Sequence, residues 1–478
     1  MPTIHARQAL LPSGWANDVE VHIADDGRIA WVSAAHMNVE IDVETEVGID
    51  APENASSSSP SAVPIHVDIL LPAPVNAHSH AFQRAMAGLT EGRGPDVRDS
   101  FWTWRRLMYR FLDQLTPEHV EAITAFVQLE MLECGYATNV EFHYLHHRPD
   151  GRPYDAVAEM SERVAAAART TGIGLTLLPV HYQYGGCDRR PLGEGQKRFG
   201  SDLAQYGDLF DGAAAALAEL PTDAALGVAP HSLRAVAPES FAPLIELASG
   251  RPIHLHLAEQ QAEVDEVSTA WSKRPVEWVL DTLDPGPQWC LIHCTRMLPH
   301  ETTALAQTGA IAGLCPITEA NLGDGIFDGC RWLDAGGQIA IGSDSNIRIS
   351  LVGELRTLEY TQRLRDHTRA ALATREKSVG RRLFDAVTRG GAQAAARACG
   401  QIAEGAWADL MSLDGHSANT DGLRGDLILD SYIFAGDDAL VRDVWSAGRH
   451  VVHEGRHHAR DAIEAAYRRT IRELRHAL

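Results

Sequence analysis

The stretch VDILLPAPVNAHSH, residues 67–80, is an apolar run that stops at two histidines one residue apart. His-x-His alone means little. With 23 histidines in 478 residues, random placement gives roughly one such pair, and a second stands at His254 and His256. Context decides. The same texture, a short apolar run closed by polar residues, returns at ATNVEFHYLHH (137–147), IGLTLLPVHY (173–182), ALGVAPHS (225–232), PIHLHLAE (252–259), CLIHCT (290–295), AIAGLCP (310–316) and QIAIGSDS (338–345). Amphipathic stretches of helical period separate these runs. One of them, 116–132, opens with Thr116 as N-cap and Pro117 at the first helical position. Strand alternating with helix eight times predicts an α/β chain folded as a (β/α)8 TIM barrel over residues 66–395.

Both flanks read as β structure. VEVHIADDGRIAWVSA (19–34) alternates on either side of Asp26-Gly27, a hairpin signal. APENASSSSPSAVP (51–64) has the composition of a surface loop. Beyond a helical tract at 353–398, strand-like text resumes in GAWADLMSLDG (405–415) and LVRDVWSAGRHVVHEG (440–455). Residues 1–65 and 396–478 are therefore expected to form one small composite β-sandwich domain, with a helix at the C-terminal end.

The formal charge of −22 argues against nucleic acid and against anionic membrane surfaces as partners. No apolar run is long enough to span a bilayer. The first residues, MPTIHARQALLPSGW, lack the basic and apolar regions of a secretory signal, so a cytoplasmic protein is expected. The seven cysteines are scattered without a Cys-x-x-Cys pair, which suggests small buried thiols rather than disulfides or a zinc ribbon. Lysine occurs only at 197, 273 and 377. Arginines buried in so acidic a chain are candidate anion clamps, because the global field repels anions.

In such barrels active sites gather at the C-terminal ends of the strands, and there the polar residues fall. Run one ends in His78 and His80, run two in Glu141, His143 and Tyr144, and run four in His231 with Arg234 beyond. Run five carries His254, His256 and Glu259, run six ends in His293 and run eight in Asp344. Residues i and i+2 of a strand share a face, so His78 and His80 can both aim into the barrel mouth. With His256 and Asp344 they suit Zn²⁺, a position being left for a water whose deprotonation supplies a nucleophile. Glu259 and His293 are better used as proton carriers beside it. His254 is expected to pack in the barrel or support a ligand. His146, His147, His457 and His458 are expected to be solvated.

Taken together, HSHAFQRAMAGL (78–89), SFWTWRRLMYR (100–110), EFHYLHH (141–147), PHSLRAV (230–236), HLHLAEQ (254–260), CPITEANLGDGIF (315–327) and GSDSNIRIS (342–350) resemble the amidohydrolase superfamily. More narrowly, they resemble the N-formimino-L-glutamate deiminases of bacterial histidine degradation. The resemblance covers nearly the whole chain. It implies a single zinc held by His78, His80, His256 and Asp344. Relatives with two metals bridge them with a carbamylated lysine on strand four, and run four here has no lysine. It further implies that Glu259 is the acid/base, that His293 polarises the attacked group, and that Asp344 first accepts the water proton. Gln83, Arg105, Tyr144, His231 and Arg234 match positions that grip the substrate.

N-formimino-L-glutamate carries two carboxylates, so guanidinium forks at Arg105 and Arg234 would answer the arginine question for a dianionic small molecule. The reaction implied is hydrolysis of the formimino group to N-formyl-L-glutamate and ammonia. Two departures stand out: the Ser-rich insert at 51–64 is long for the family, and HYQYGGCDRR (181–190) replaces its usual small-residue loop. The competing enzyme reading is a deaminase of a nitrogen heterocycle such as guanine or an aminotriazine, which would need aromatic walls rather than two arginines. A non-catalytic barrel would have shed some of the six centre residues, and all six are present. A homodimer is the expected assembly.

Overall fold

Run one, residues 67–80, divides between two sheets. A computed structural model describes residues 2–37, 64–92 and 108–477. Within it Ile65–Pro72 pairs parallel with Thr3–Leu11 and antiparallel with Leu410–Leu413. Only Val75–Ser79 joins the barrel. The prolines at 72 and 74 lack amide donors, so neither ladder can continue through them. Residues 66–72, expected in the barrel, thus lie in the terminal sheet.

In chain order the strands are β1 (Thr3–Leu11), β2 (Gly14–Ile23), β3 (Ile29–Met37), β4 (Ile65–Pro72), β5 (Val75–Ser79), β6 (Thr138–His143), β7 (Gly174–His181), β8 (Ala225–Leu226), β9 (Ala229–Pro230), β10 (Ile253–Leu257), β11 (Trp289–His293), β12 (Ile311–Leu314), β13 (Gln338–Ile341), β14 (Leu410–Leu413), β15 (Val441–Ser446), β16 (Arg449–His453) and β17 (Arg456–His457). Strands β5 to β13 form the parallel barrel sheet, the fourth stave being split into β8 and β9. Parallel bridges Val228↔Ile253 and Ser232↔His256 close one seam, and Ile341↔Asn76 with Ser79↔Asp344 the other. Ala77, Cys290, Ile292, Ile311, Cys315 and Ala340 fill the interior, as expected of strands covered on both faces.

The second sheet runs β17-β16-β15-β14-β4-β1-β2-β3, with β2 and β3 joined at the Asp26-Gly27 hairpin. Ile4, Val21, Leu70, Leu410 and Trp445 share one core, so strands from both termini close over each other as the composite domain requires. The helix Pro117–Glu133 begins at the Thr116 cap, and the last helix, Arg460–Ala477, stacks Tyr467 on its Phe126 at 4.0 Å. Four of the seven cysteines are buried and three half-buried, all as free thiols.

Candidate metal centre and active site

The second seam builds the centre. The Asp344 amide donates to the His78 carbonyl and the His80 amide to the Asp344 carbonyl, both at 2.9 Å. Gly342 permits this approach, because a Cβ there would lie 2.6 Å from both N and O of His78. Behind the seam four buried polar residues satisfy one another. Asn76 Nδ2 donates to Ser343 Oγ (2.7 Å), Ser343 Oγ to Asn346 Oδ1 (2.6 Å), and Asn346 Nδ2 to Ser79 Oγ (3.1 Å). Asp344 and His293 hold left-handed backbone, φ 47° and 71°, a conformation that non-glycine residues keep only where the surroundings impose it.

Three imidazoles and one carboxylate converge across the barrel mouth. His78 Nε2 lies 3.1 Å from His256 Nε2 and 3.5 Å from Asp344 Oδ1, and His80 Nε2 lies 3.3 Å from the same oxygen. Two of the other ring nitrogens are committed outward, His80 Nδ1 to the Phe142 carbonyl and His256 Nδ1 to that of His231, each at 2.9 Å, while buried His78 Nδ1 has no hydrogen-bond partner among the described residues. Such bonds fix the tautomer that leaves Nε2 a lone pair. Burial holds all three imidazoles below their ordinary titration range, which keeps them neutral as metal ligands must be. Nitrogen and carboxylate donors converging this closely fit a zinc ion.

Glu259 and His293, the expected proton carriers, stand beside this set. His293 Nε2 is 4.0 Å from Glu259 Oε1 and 3.8 Å from Asp344 Oδ2. Burial opposes charge on His293, but the carboxylates of Glu259, Glu319 and Asp344 outweigh it and raise the imidazole to about 10. Its Nδ1 faces Glu319 Oε1 at 3.3 Å. Glu259 is seated by Glu263, which accepts from the Ala258 and Glu259 amides at 3.1 Å each.

Gln83, Tyr144, His231 and Arg234 line the same pocket, together with Met108, Tyr182 and Phe199. Gln83 Nε2 donates to the Tyr144 hydroxyl at 2.7 Å, and Gln83 Oε1 is buried without a hydrogen-bond partner among the described residues. Buried Arg234 Nε also lacks one, and while burial opposes the guanidinium's charge, the carboxylates of Glu263 and Glu259 favour it. Arg105 lies outside the described residues, as do residues 51–63 of the Ser-rich insert.

Several expectations change. His146, His147 and His457 are buried rather than solvated, because backbone carbonyls of Val180, Gly200 and Thr171 take their Nε2 atoms at 2.9, 2.7 and 2.8 Å; His458 is exposed. Glu141 accepts from the Ala81 amide at 2.7 Å, and neither it nor His143 lines the pocket. His254 packs, its Nε2 2.8 Å from the Ala394 carbonyl. The deeply buried Arg198 and Arg397 hold carbonyls and carboxylates of the chain itself. Glu263, Glu319 and the Asn76–Ser343–Asn346 chain went unread in the sequence. Their only signal is position, inside or beside the runs that end in the site.

A barrel closed by this seam, with histidines and an aspartate at its mouth, belongs to a known class. The chain is a member of the amidohydrolase family, whose model matches residues 69–451. Residues 1–37 match the N-terminal domain of formimidoylglutamate deiminase HutF. Over 482 aligned residues the chain is 44% identical to formimidoylglutamate deiminase of Pseudomonas aeruginosa, covering 99% of this chain and 100% of that one. A solved amidohydrolase from Brucella melitensis superposes with a TM-score of 0.89 at 43% identity, covering 99% and 100% of the two chains. An adenosine deaminase from Xanthomonas campestris, solved with bound zinc, shares the fold at a TM-score of 0.76 and 21% identity, covering 99% and 98%.

Proposed function

We propose that this enzyme hydrolyses N-formimino-L-glutamate, water replacing the terminal nitrogen to leave N-formyl-L-glutamate and ammonia. The observation that carries the reading is one pocket in which buried Arg234, its Nε without a hydrogen-bond partner among the described residues, shares walls with His80, His256, Asp344 and the Glu259–His293 pair. The full-length likeness to a deiminase of that substrate supports it.

His78, His80, His256 and Asp344 would hold one zinc ion per chain, which when bound supplies Lewis acidity and an acidified water. Asp344 would first accept the proton of that water, and Glu259 would relay it to the departing nitrogen. His293, protonated and steered by Glu319, donates from Nε2 to the carbon's tetrahedral substituents as charge develops. Gln83, Tyr144 and His231 orient the formimino group, while Arg234 and Arg105 each receive a carboxylate. A cytoplasmic homodimer completes the reading, two-fold dimers being the commonest assembly.

The aromatic walls Tyr144, Tyr182 and Phe199 keep a heterocycle deaminase in view as the second reading. Ammonia release from N-formimino-L-glutamate, guanine and adenosine separates the two, and turnover is expected with the first alone. Glu259→Gln should retain zinc and lower kcat by ~10²–10⁴-fold, while His256→Ala should lose the ion. Absence of turnover on N-formimino-L-glutamate by zinc-loaded wild type overturns the proposal.

A further inference from the structure

Away from the barrel mouth, the hairpin of β15 and β16 gathers a second set of metal-competent side chains. One ligand atom from each of Asp443, His450 and His453 lies within 4.8 Å of the other two. His450 Nε2 and His453 Nδ1 each stand 2.9 Å from the same oxygen, Asp443 Oδ1. Bonds of 2.0–2.2 Å to one ion place neighbouring ligand atoms about 3 Å apart or somewhat more, so little adjustment is needed.

The backbone is arranged for this. Residues 450 and 453 of a regular strand would point to opposite faces. Here the ladder pairs Trp445 with His450 but Val444 with Val452, leaving one extra residue on β16. That bulge turns His453 onto the face that carries Asp443 and His450. Bulges of this kind re-aim side chains, often at functional sites. On the neighbouring strand Ser412 donates to Asp443 Oδ2 at 2.9 Å and accepts from the Asp443 amide at 3.0 Å. It thereby fixes the carboxylate with Oδ1 toward the imidazoles, the supporting role that outer partners play at metal sites. The His453 side chain is 71% exposed, which leaves the set open to an arriving ion and to water as further ligands. An adjoining groove carries Glu20, Asp68 and Glu454 beside Arg7 and Arg442, and the chain's charge of −22 draws cations toward it.

We propose that Asp443, His450 and His453 form a second metal site, for a borderline divalent transition ion such as Zn²⁺, Ni²⁺ or Cu²⁺. It shares no residue with the barrel set and serves no step of the deimination.

The full-length protein, equilibrated with Zn²⁺ and desalted, should hold one more ion per chain than His450→Gln/His453→Gln, while both release ammonia at the same rate. Cu²⁺ offers a second readout, because the His450 ring stacks on Trp445 with centroids 4.6 Å apart. Titration should quench indole fluorescence with saturation at one ion per site in wild type and not in the double variant. Asp344→Asn should keep the quench, so failure of the barrel reading is distinguishable from failure of this one. Should the double variant be poorly folded, exposed His453→Gln alone must weaken the titration at least tenfold. Equal ion content and equal quenching in wild type and variants would mean that the histidines only share protons with Asp443, and would overturn the site.

Discussion

Glu319 accepts a hydrogen bond from the Cys315 amide at 2.8 Å and holds the same oxygen 3.3 Å from His293 Nδ1. It fixes which face of the imidazole looks into the pocket without lining that pocket itself. Glu319→Gln preserves an acceptor for the amide while removing the charge that steadies a protonated His293. We expect kcat to fall ~10–100-fold, the usual range for such outer partners, with KM and zinc content held. A parallel rise in KM, or loss of the ion, would instead mark Glu319 as a general support of the pocket. Residues of this kind were not legible in the sequence. His78, His80, His256, Glu259, His293 and Asp344 could be picked out because strand ends and residue chemistry coincide. Glu319 sits on a short helix after β12, and only the packed barrel brings its carboxylate to His293. The same limit explains His146, His147 and His457, whose burial depends on carbonyls of distant segments that no periodicity reports.

Elements set the distances that residues exploit. The approach of β13 to β5 positions Asp344 against His78 and His80, and Gly342 is the residue that permits it. Gly342→Ala places a methyl 2.6 Å from the His78 backbone, so one strand must move. Overpacking of this sort costs about 1–3 kcal/mol. A lower melting temperature should accompany a zinc affinity reduced ~10-fold or more, with KM on residual holoenzyme changed less than metal affinity. An unchanged zinc affinity would show that the seam tolerates the shift. At this scale the sequence was legible wherever each run stood between helical stretches, and it failed where β4 and β5 abut. Apolar text is continuous from Ile69 to Val75, interrupted only by prolines, so periodicity reads one run. The change of sheet is decided by partners far along the chain, β1 and β14.

Across the whole molecule, the chemistry occupies one end of the barrel and the terminal segments secure the other. Arg397 donates to both oxygens of Asp409 at 2.7 and 3.0 Å and to Asp223 at 2.9 Å, while Arg449 reaches Asp223 from β16. Thr138, at the start of β6, also donates to Asp409. Buried charge thus ties barrel strands to the composite sheet far from the site, and removing one partner would leave the other charge buried and unpaired. His457 belongs to the same joint. Its Nδ1 accepts from the Ala459 amide at 3.1 Å, so the nitrogen facing the Thr171 carbonyl at 2.8 Å must carry the hydrogen. The ring is neutral in this arrangement, and burial lowers it to about 4. Below pH ~6.5 the unfolded chain binds a proton here that the folded chain does not. Wild type therefore loses stability through this residue as pH falls toward about 4, by at most ~1.4 kcal/mol per pH unit. His457→Gln lacks that proton. It should be less stable than wild type by ~1 kcal/mol at pH 7 through the lost hydrogen bond, and the gap should close or reverse by pH 5. Urea unfolding of both proteins at the two pH values reads the difference directly, and a gap that stays constant would mean that His457 titrates alike in both states.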